Sequence, residues 1–312
     1  VGKSLGPILL LAAVGLCSAA DFDLLSAPWT PFHANFSLNL DLVPTLAQMH
    51  KRFGVTTVWV AGCMGQWPQL STAERADLIT IWAKEGKAQS LFTICHVGSN
   101  DLEEAVELAH HAEQVGCSAI GVIAPSYPGP PSSNQALVQS LKIVADATSL
   151  PFYYYHIPAV TRISVPLVET VAAAQAVIPT FAGIKYVEDN IETFRNISAG
   201  NLKIFWAANP KLKAMPFGAT RFVLAQGYLA PYLLKAANAF AAGDNTEAAH
   251  WSDAWDNVMT ATRLGDTRCV DKMLGADNGP PRLPLQEVTK EQYDAVHAAL
   301  EALDFFKIVP TK

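Results

Sequence analysis

The chain has 312 residues, half of them hydrophobic and 16% charged, with a formal net charge of −6. That length allows one large or two ordinary globular domains with ample core. The acidic balance and the lack of any Lys/Arg-rich run argue against a nucleic-acid partner, since the electrostatic footprint of such a binder is missing.

Lys3 is followed by an apolar run from Ile8 to Cys17 and by the small residues Ser18, Ala19 and Ala20. This layout predicts a secretory signal peptide over residues 1–20, cleaved near Ala20. A cytosolic variant with an apolar start and a membrane anchor are the alternatives, but the run is short for a bilayer span, so no stable anchor is expected. In a secreted chain the sequons Asn35-Phe36-Ser37 and Asn196-Ile197-Ser198 make Asn35 and Asn196 candidate glycosylation sites. Cys17 falls in the leader, which leaves Cys63, Cys95, Cys117 and Cys269. No Cys-x-x-Cys spacing suggests zinc or redox work, and no metal site is predicted.

After residue 21 short β-branched or aromatic runs alternate with longer helical patterns, the mark of repeated βα units. Eight strands are predicted, over 24–31, 55–62, 91–98, 119–125, 151–157, 181–187, 203–208 and 222–228. Ser71-Thr72-Ala73-Glu74 reads as a capping box opening one helix, with Gly86 as its stop. Asn100-Asp101-Leu102-Glu103 opens the next, and Gly116 ends it. His110 and His111 on that helix are adjacent, point in different directions and read as solvated residues rather than metal ligands. These units predict a (β/α)₈ barrel over 21–228, with its site at the C-terminal strand ends. From 229 to 312 the pattern is helical, with segments near 236–242, 247–264 and 290–303. The Trp251/Trp255 pair there reads as packing.

Two strands carry the chemistry. Phe181-Ala182-Gly183-Ile184-Lys185-Tyr186-Val187 holds one lysine among apolar residues. Lysine is rarely buried without work to do, and a dry site lowers its pKa toward the neutral amine that attacks a ketone. The alternative is a lysine at the strand mouth with its head in water. Upstream, Pro151-Phe152-Tyr153-Tyr154-Tyr155-His156-Ile157-Pro158-Ala159 is a second aromatic strand.

The pair YYYHIPA and GIKY, in that order and at that separation, resembles the N-acetylneuraminate lyase and dihydrodipicolinate synthase family of class I aldolases, in particular the vertebrate-type sialic acid lyases. The likeness extends to Leu25-Ser26-Ala27-Pro28-Trp29-Thr30-Pro31, His96-Val97-Gly98, Val122-Ile123-Ala124-Pro125 and Gly279-Pro280-Pro281-Arg282-Leu283-Pro284-Leu285. The resemblance implies that Lys185 forms an imine with pyruvate, that Tyr155 shuttles protons, and that no cofactor is needed. It also implies a helical extension packed on the barrel and a homotetramer in which a neighbour donates the tyrosine matching Tyr127.

Where the family has a G-[ST]-[TSN]-G-E loop gripping the pyruvate carboxylate, this chain has Gly62-Cys63-Met64-Gly65-Gln66. Both hydroxyls are gone, so Cys63, Met64 and Gly65 are candidate substrate contacts chiefly through the backbone. Each lost charge-assisted hydrogen bond weakens binding by about 1.5–3 kcal/mol. Where sialic acid lyases carry Gly-x-Asp-Glu for the sugar tail, this chain has Trp206-Ala207-Ala208-Asn209. Trp206 is therefore expected in the pocket, and with Phe222 and Leu224 it predicts a narrower, more apolar mouth that rejects N-acetylneuraminate. The readings left open are a Schiff-base lyase for another 2-oxo acid, an impaired relative binding a small carbonyl or apolar ligand, a structural extracellular barrel, and, as a further alternative, a true N-acetylneuraminate lyase. Cys63 and Cys95 end neighbouring strands that lie about 4.8 Å apart, so a disulfide is open to them, with two free thiols as the alternative.

Overall fold

A computed structural model describes residues 22–263 and 266–311, so the predicted leader lies outside the described residues. Eight parallel strands close into a barrel in sequence order: β1 (Asp23–Ser26), β2 (Thr57–Val60), β3 (Phe92–His96), β4 (Ala119–Ile123), β5 (Phe152–His156), β6 (Phe181–Tyr186), β7 (Lys203–Trp206) and β8 (Arg221–Val223). The connections carry α1 (Val43–Phe53), α2 (Thr72–Ala88), α3 (Leu102–Gln114), α4 (Asn134–Ala145), the short α5 (Pro158–Thr161), α6 (Leu167–Val177) and α7 (Ile191–Ile197), then a 3₁₀ segment Lys211–Phe217 after β7. Helices α8 (Ala230–Ala241), α9 (Asn245–Thr262), α10 (Arg268–Met273), α11 (Lys290–Ala302) and α12 (Phe305–Ile308) complete the chain.

Local chemistry explains most boundaries. Ser71 and Glu74 form the reciprocal capping box of α2, with Ser71 N–H donating to the Glu74 carboxylate at 2.9 Å and Glu74 N–H to the Ser71 hydroxyl at 3.2 Å. Gly86 lies inside α2 rather than ending it. A Cβ there would lie 2.1 Å from the Thr93 hydroxyl, so its role is close approach of helix to strand. Gly116 does follow α3, in the left-handed region at φ 80°. β1 stops at Ser26, well before residue 31, because Pro28 and Pro31 cannot donate to a ladder. After β8 a 3₁₀ turn, Gly227–Leu229, leads into α8, which buries Tyr232, Leu233, Ala236 and Ala237. In the C-terminal helical segment α9 packs chiefly on α8.

The strands sort their side chains into two apolar layers. Leu25, Trp59, Ile94, Ala119, Ile123, Tyr153, Tyr155, Phe205 and Val223 fill the barrel interior. Their neighbours Leu24, Val58, Val60, Cys95, Ile120, Val122, Tyr154, Ile184, Tyr186, Trp206, Phe222 and Leu224 face the helices. The period-2 alternation is what puts adjacent residues in different layers.

This parity corrects the disulfide expectation. Cys95 faces the helices and bonds Cys117, which lies between α3 and β4, at a Cα separation of 6.4 Å. Cys63 packs beside the interior layer and is free. The strands are adjacent, but the two sulfurs lie on opposite sides of the barrel wall.

Candidate active site

Lys185 is 4% exposed near the C-terminal end of β6, with Tyr155 as its Cα neighbour on β5 and Phe205 on β7. Its Nζ lies 4.2 Å from the centre of the Tyr155 ring and 4.8 Å from that of Trp59. Among the described residues no carboxylate pairs with it. Burial lowers its pKa to about 8, with charge at Cys63 acting in the opposite sense. The site thus holds an amine that is partly neutral near physiological pH, which is what a nucleophilic lysine requires.

Cys63 packs against the interior cluster that includes Tyr155. Burial, then Cys63, raises the pKa of the Tyr155 phenol far above the ordinary tyrosine value, so it stays protonated and is suited to donating a proton. Trp59 makes a floor beneath both groups: its ring centre is 5.3 Å from that of Tyr155, and a Cβ at Gly121 would meet the indole at 2.4 Å. The glycine on β4 makes room for the indole.

His96 completes this cluster from β3. It is fully buried, and its ring lies 6.1 Å from those of Tyr155 and Trp59. Its Nδ1 faces the Ala61 carbonyl at 3.0 Å, so that nitrogen carries the proton and Nε2 is left as an acceptor with no partner among the described residues. Burial, with the positive charges of Arg75 and Lys185 behind it, drives the imidazole pKa well down and keeps the ring neutral. Arg75, itself fully buried, fixes the end of β3 by donating to the carbonyls of His96 at 2.9 Å and Gly98 at 3.0 Å.

The loop after β2 faces the same space. Ala61 and Gln66, at φ 54° and 57°, hold the left-handed region at either end, a strained conformation that surrounding packing must enforce. Thr30 donates to the Gly65 carbonyl at 2.5 Å. Among the described residues no acceptor meets the N–H groups of Cys63, Met64 or Gly65. Such a row of free amides suits an anion.

The structure therefore brings Lys185, Tyr155, Cys63, Met64 and Gly65 to one mouth. Tyr127 does not join them within its own chain: it is 77% exposed, beyond the end of β4. Trp206 does not line the mouth. Its indole is fully buried among the helix-facing residues, 5.3 Å from the ring of Phe194 on α7 and 5.7 Å from that of Tyr186. Phe222 and Leu224 also face outward, so the expectation that these three residues narrow the pocket fails; Phe205, Ala207 and Val223 are the interior residues there. Nothing in the sequence marks Trp59, His96 as a site residue, or a second buried lysine. Lys211, 5% exposed, donates to the carbonyls of Ala207 and Ala208 at the end of β7, and burial lowers its pKa to about 7. Asn35 and Asn196 are both exposed.

A (β/α)₈ barrel with a buried amine under a tyrosine at the C-terminal strand ends is a class I aldolase scaffold of the N-acetylneuraminate lyase type. The chain belongs to the dihydrodipicolinate synthetase family, which matches residues 22–303. It is 32% identical over 306 residues to the N-acetylneuraminate lyase of Homo sapiens, covering 93% of this chain and 94% of that one. The corresponding lyase of Mus musculus is 31% identical, with 90% and 92% covered. Among solved structures, Proteus mirabilis N-acetylneuraminate lyase superposes with a TM-score of 0.86 at 28% identity, covering 91% of this chain and 99% of that chain.

Proposed function

We propose that the protein is a Schiff-base carbon–carbon lyase acting on a 2-oxo acid, with Lys185 as the imine-forming amine and Tyr155 as the proton shuttle. The observation that carries this reading is the buried, carboxylate-free Lys185 amine with its pKa lowered to about 8. In this mechanism the neutral amine adds to the ketone carbon and Tyr155 gives its proton to the oxygen that leaves as water. The resulting iminium draws in the electrons of the bond between its α and β carbons, leaving an enamine on Lys185, while the phenolate takes the proton of the β-hydroxyl as the aldehyde departs; the enamine is then protonated at its α carbon and water hydrolyses the imine, releasing the shorter 2-oxo acid and the free amine. The free amides of Cys63, Met64 and Gly65 would hold the carboxylate. Support comes from the resemblance as well as from the geometry.

The aldehyde half is proposed to differ from the sugar of N-acetylneuraminate. Trp206 no longer argues for this, but the segment 206–209 supplies no carboxylate where sialic acid lyases carry two, and Ala207 and Val223 give the interior no polar side chain there. The loss of both loop hydroxyls favours a second reading, an impaired relative that binds a carbonyl compound without turnover. We also propose that copies associate so that Tyr127 of one completes the mouth of another, as the family resemblance to a homotetramer implies. Exposed Tyr127, Leu283 (80%) and Val160 (58%) on the rim support it. Secretory routing is proposed from the leader and from the exposed sequons; a mobility shift on enzymatic deglycosylation of protein from a secretory host tests it.

Incubation with pyruvate and borohydride, followed by peptide mass analysis, tests the chemistry. Reduction of the imine at Lys185 is expected; labelling elsewhere with Lys185 untouched overturns the assignment. Pyruvate release from N-acetylneuraminate at an ordinary enzyme rate of about 1–10³ s⁻¹ would overturn the substrate proposal alone.

A further inference from the structure

Of the four cysteines in the described residues, Cys95 and Cys117 are bonded to each other. Cys269 is buried, its thiol donates to the Asp266 carbonyl at 2.7 Å, and burial pushes its pKa up to about 11. Cys63 alone is unpaired and part-exposed. It opens onto a cavity of about 260 Å³ lined also by Gln66, Trp67, Ser99, Asn100 and Ser126. Gln66 is 2% exposed, and its amide orientation is fixed because Oε1 accepts the Arg282 N–H at 3.2 Å. Its Nε2 is therefore a buried donor with no partner among the described residues, on a side chain that lines the same cavity. A buried unpartnered donor beside a thiol fits a small oxygen acceptor. The aldol chemistry proposed above uses neither the sulfur as a nucleophile nor this amide.

We propose that Cys63 is a peroxide-reactive modification site, taking hydrogen peroxide or a small alkyl hydroperoxide in this cavity. The sulfur attacks one peroxide oxygen; the S–O bond forms as the O–O bond breaks. Sulfur is oxidised by two electrons, the peroxide is reduced to water or an alcohol, and the thiol proton ends on the departing oxygen. Cys63 becomes a sulfenic acid in a cavity that the side chain of Gln66, with its unpartnered amide, also lines. A low-molecular-weight thiol reverses the step: it displaces water to give a mixed disulfide, and a second thiol releases Cys63 with formation of the small disulfide. Because Cys63 adjoins both Tyr155 and the free amides of its loop, the added oxygen blocks entry of a 2-oxo acid to Lys185. This consequence rests on the Schiff-base reading; the oxidation itself does not.

The whole protein is treated with hydrogen peroxide and then with a 1,3-dione that alkylates sulfenic acids, and the peptides are mapped by mass. A dione adduct on Cys63 and none on Cys269 is expected; no adduct, or one on Cys269 alone, overturns the proposal. In parallel, pyruvate trapping at Lys185 with cyanoborohydride is measured untreated, after peroxide, and after peroxide followed by glutathione. Trapping is expected to be lost and then restored, whereas damage at the neighbouring Met64 would not be reversed by a thiol. In Cys63→Ser, whatever its own level of trapping, peroxide should cause no change. An equal loss in that variant overturns the gating. If Lys185 is never trapped, the Schiff-base reading fails, while the dione adduct still decides the fate of Cys63.

Discussion

Lys185 on β6 and Trp206 on β7 are separated by a single step of barrel register, since Lys185 pairs with Phe205 and Tyr186 pairs with Trp206. Both are almost wholly buried. Lys185 faces the interior, where an ammonium is poorly tolerated and the amine becomes a reagent; Trp206 faces the helices, where an indole simply fills space against Phe194. The same degree of burial produces reactivity on one face of the wall and cohesion on the other. The face decides which, so function in this barrel has to be sought by strand parity before residue type.

The largest effect tests the inner face. Lys185→Met should abolish imine trapping with pyruvate completely. It should not lower the thermal midpoint, because a thioether of similar length replaces a buried amine that has no carboxylate partner among the described residues. A variant that still traps pyruvate at another lysine would mean that the reactive face has been misassigned.

The outer face predicts the opposite pattern. Trp206→Ala should destabilise the fold by about 3–5 kcal/mol, as large aromatic truncations in cores do. It should leave pyruvate trapping intact in the folded fraction and should not open the mouth to N-acetylneuraminate. Denaturant unfolding measured beside pyruvate release checks both halves. Sugar cleavage gained without loss of stability would return Trp206 to the pocket.

The same distinction marks what could be read in the sequence. The barrel and its capping box at Ser71 were legible as local patterns with a physical cause, and a lone lysine on an apolar strand marked Lys185 as a candidate, whereas Tyr155 was singled out only by the family resemblance. Parity across strands was not legible. In a closed parallel sheet both faces are buried, so Lys203-Ile204-Phe205-Trp206 offers no polar alternation to say which side is in. Knowing that Lys185 faces inward fixes the phase of β6 alone; carrying it to β7 needs the inter-strand register, which no single strand encodes. Trp206, Phe222, Leu224 and the Cys63–Cys95 pairing were misplaced for that one reason. Lys211 was hidden differently: Pro210-Lys211-Leu212-Lys213 reads as a solvated loop until the 3₁₀ turn folds its amine back onto the carbonyls of Ala207 and Ala208 just beyond β7.

A smaller effect comes from the disulfide, which ties the outer face of β3 to the residue just before β4. Cys95 and Cys117 are 22 residues apart, and closing a loop of that size is worth about 3 kcal/mol in the chain-entropy picture. Cys117→Ala should lower the denaturant midpoint by a corresponding amount, and reductant should then have no further effect. Cys63→Ser should leave the reductant sensitivity unchanged, because Cys63 lies on the other side of the wall. Reductant sensitivity that disappears with Cys63 instead would favour the pairing expected from strand adjacency alone.

The smallest effect separates the two buried lysines, and it shifts a pH dependence without removing an activity. Lys185 and Lys211 both have lowered pKa values, about 8 and about 7, so basicity alone would make Lys211 the more available amine at neutral pH. Geometry reverses the order. The Lys211 nitrogen is committed to the carbonyls of Ala207 and Ala208, whereas the Lys185 nitrogen lies over two aromatic faces. Pyruvate trapping should therefore map to Lys185, rise about tenfold per pH unit below 8 as the neutral amine is populated, and level off above it. An exposed lysine would keep gaining until about pH 10.4. The stability linkage runs in a related window: each folded pKa lies below its unfolded value, so the folded chain binds fewer protons there. From these two groups stability is flat in acid and rises with pH from about 7 toward 10.5. A trapping profile with its midpoint near 7 and label on Lys211 would show that the carbonyl clamp opens in solution, and that the end of β7, not β6, presents the reactive amine.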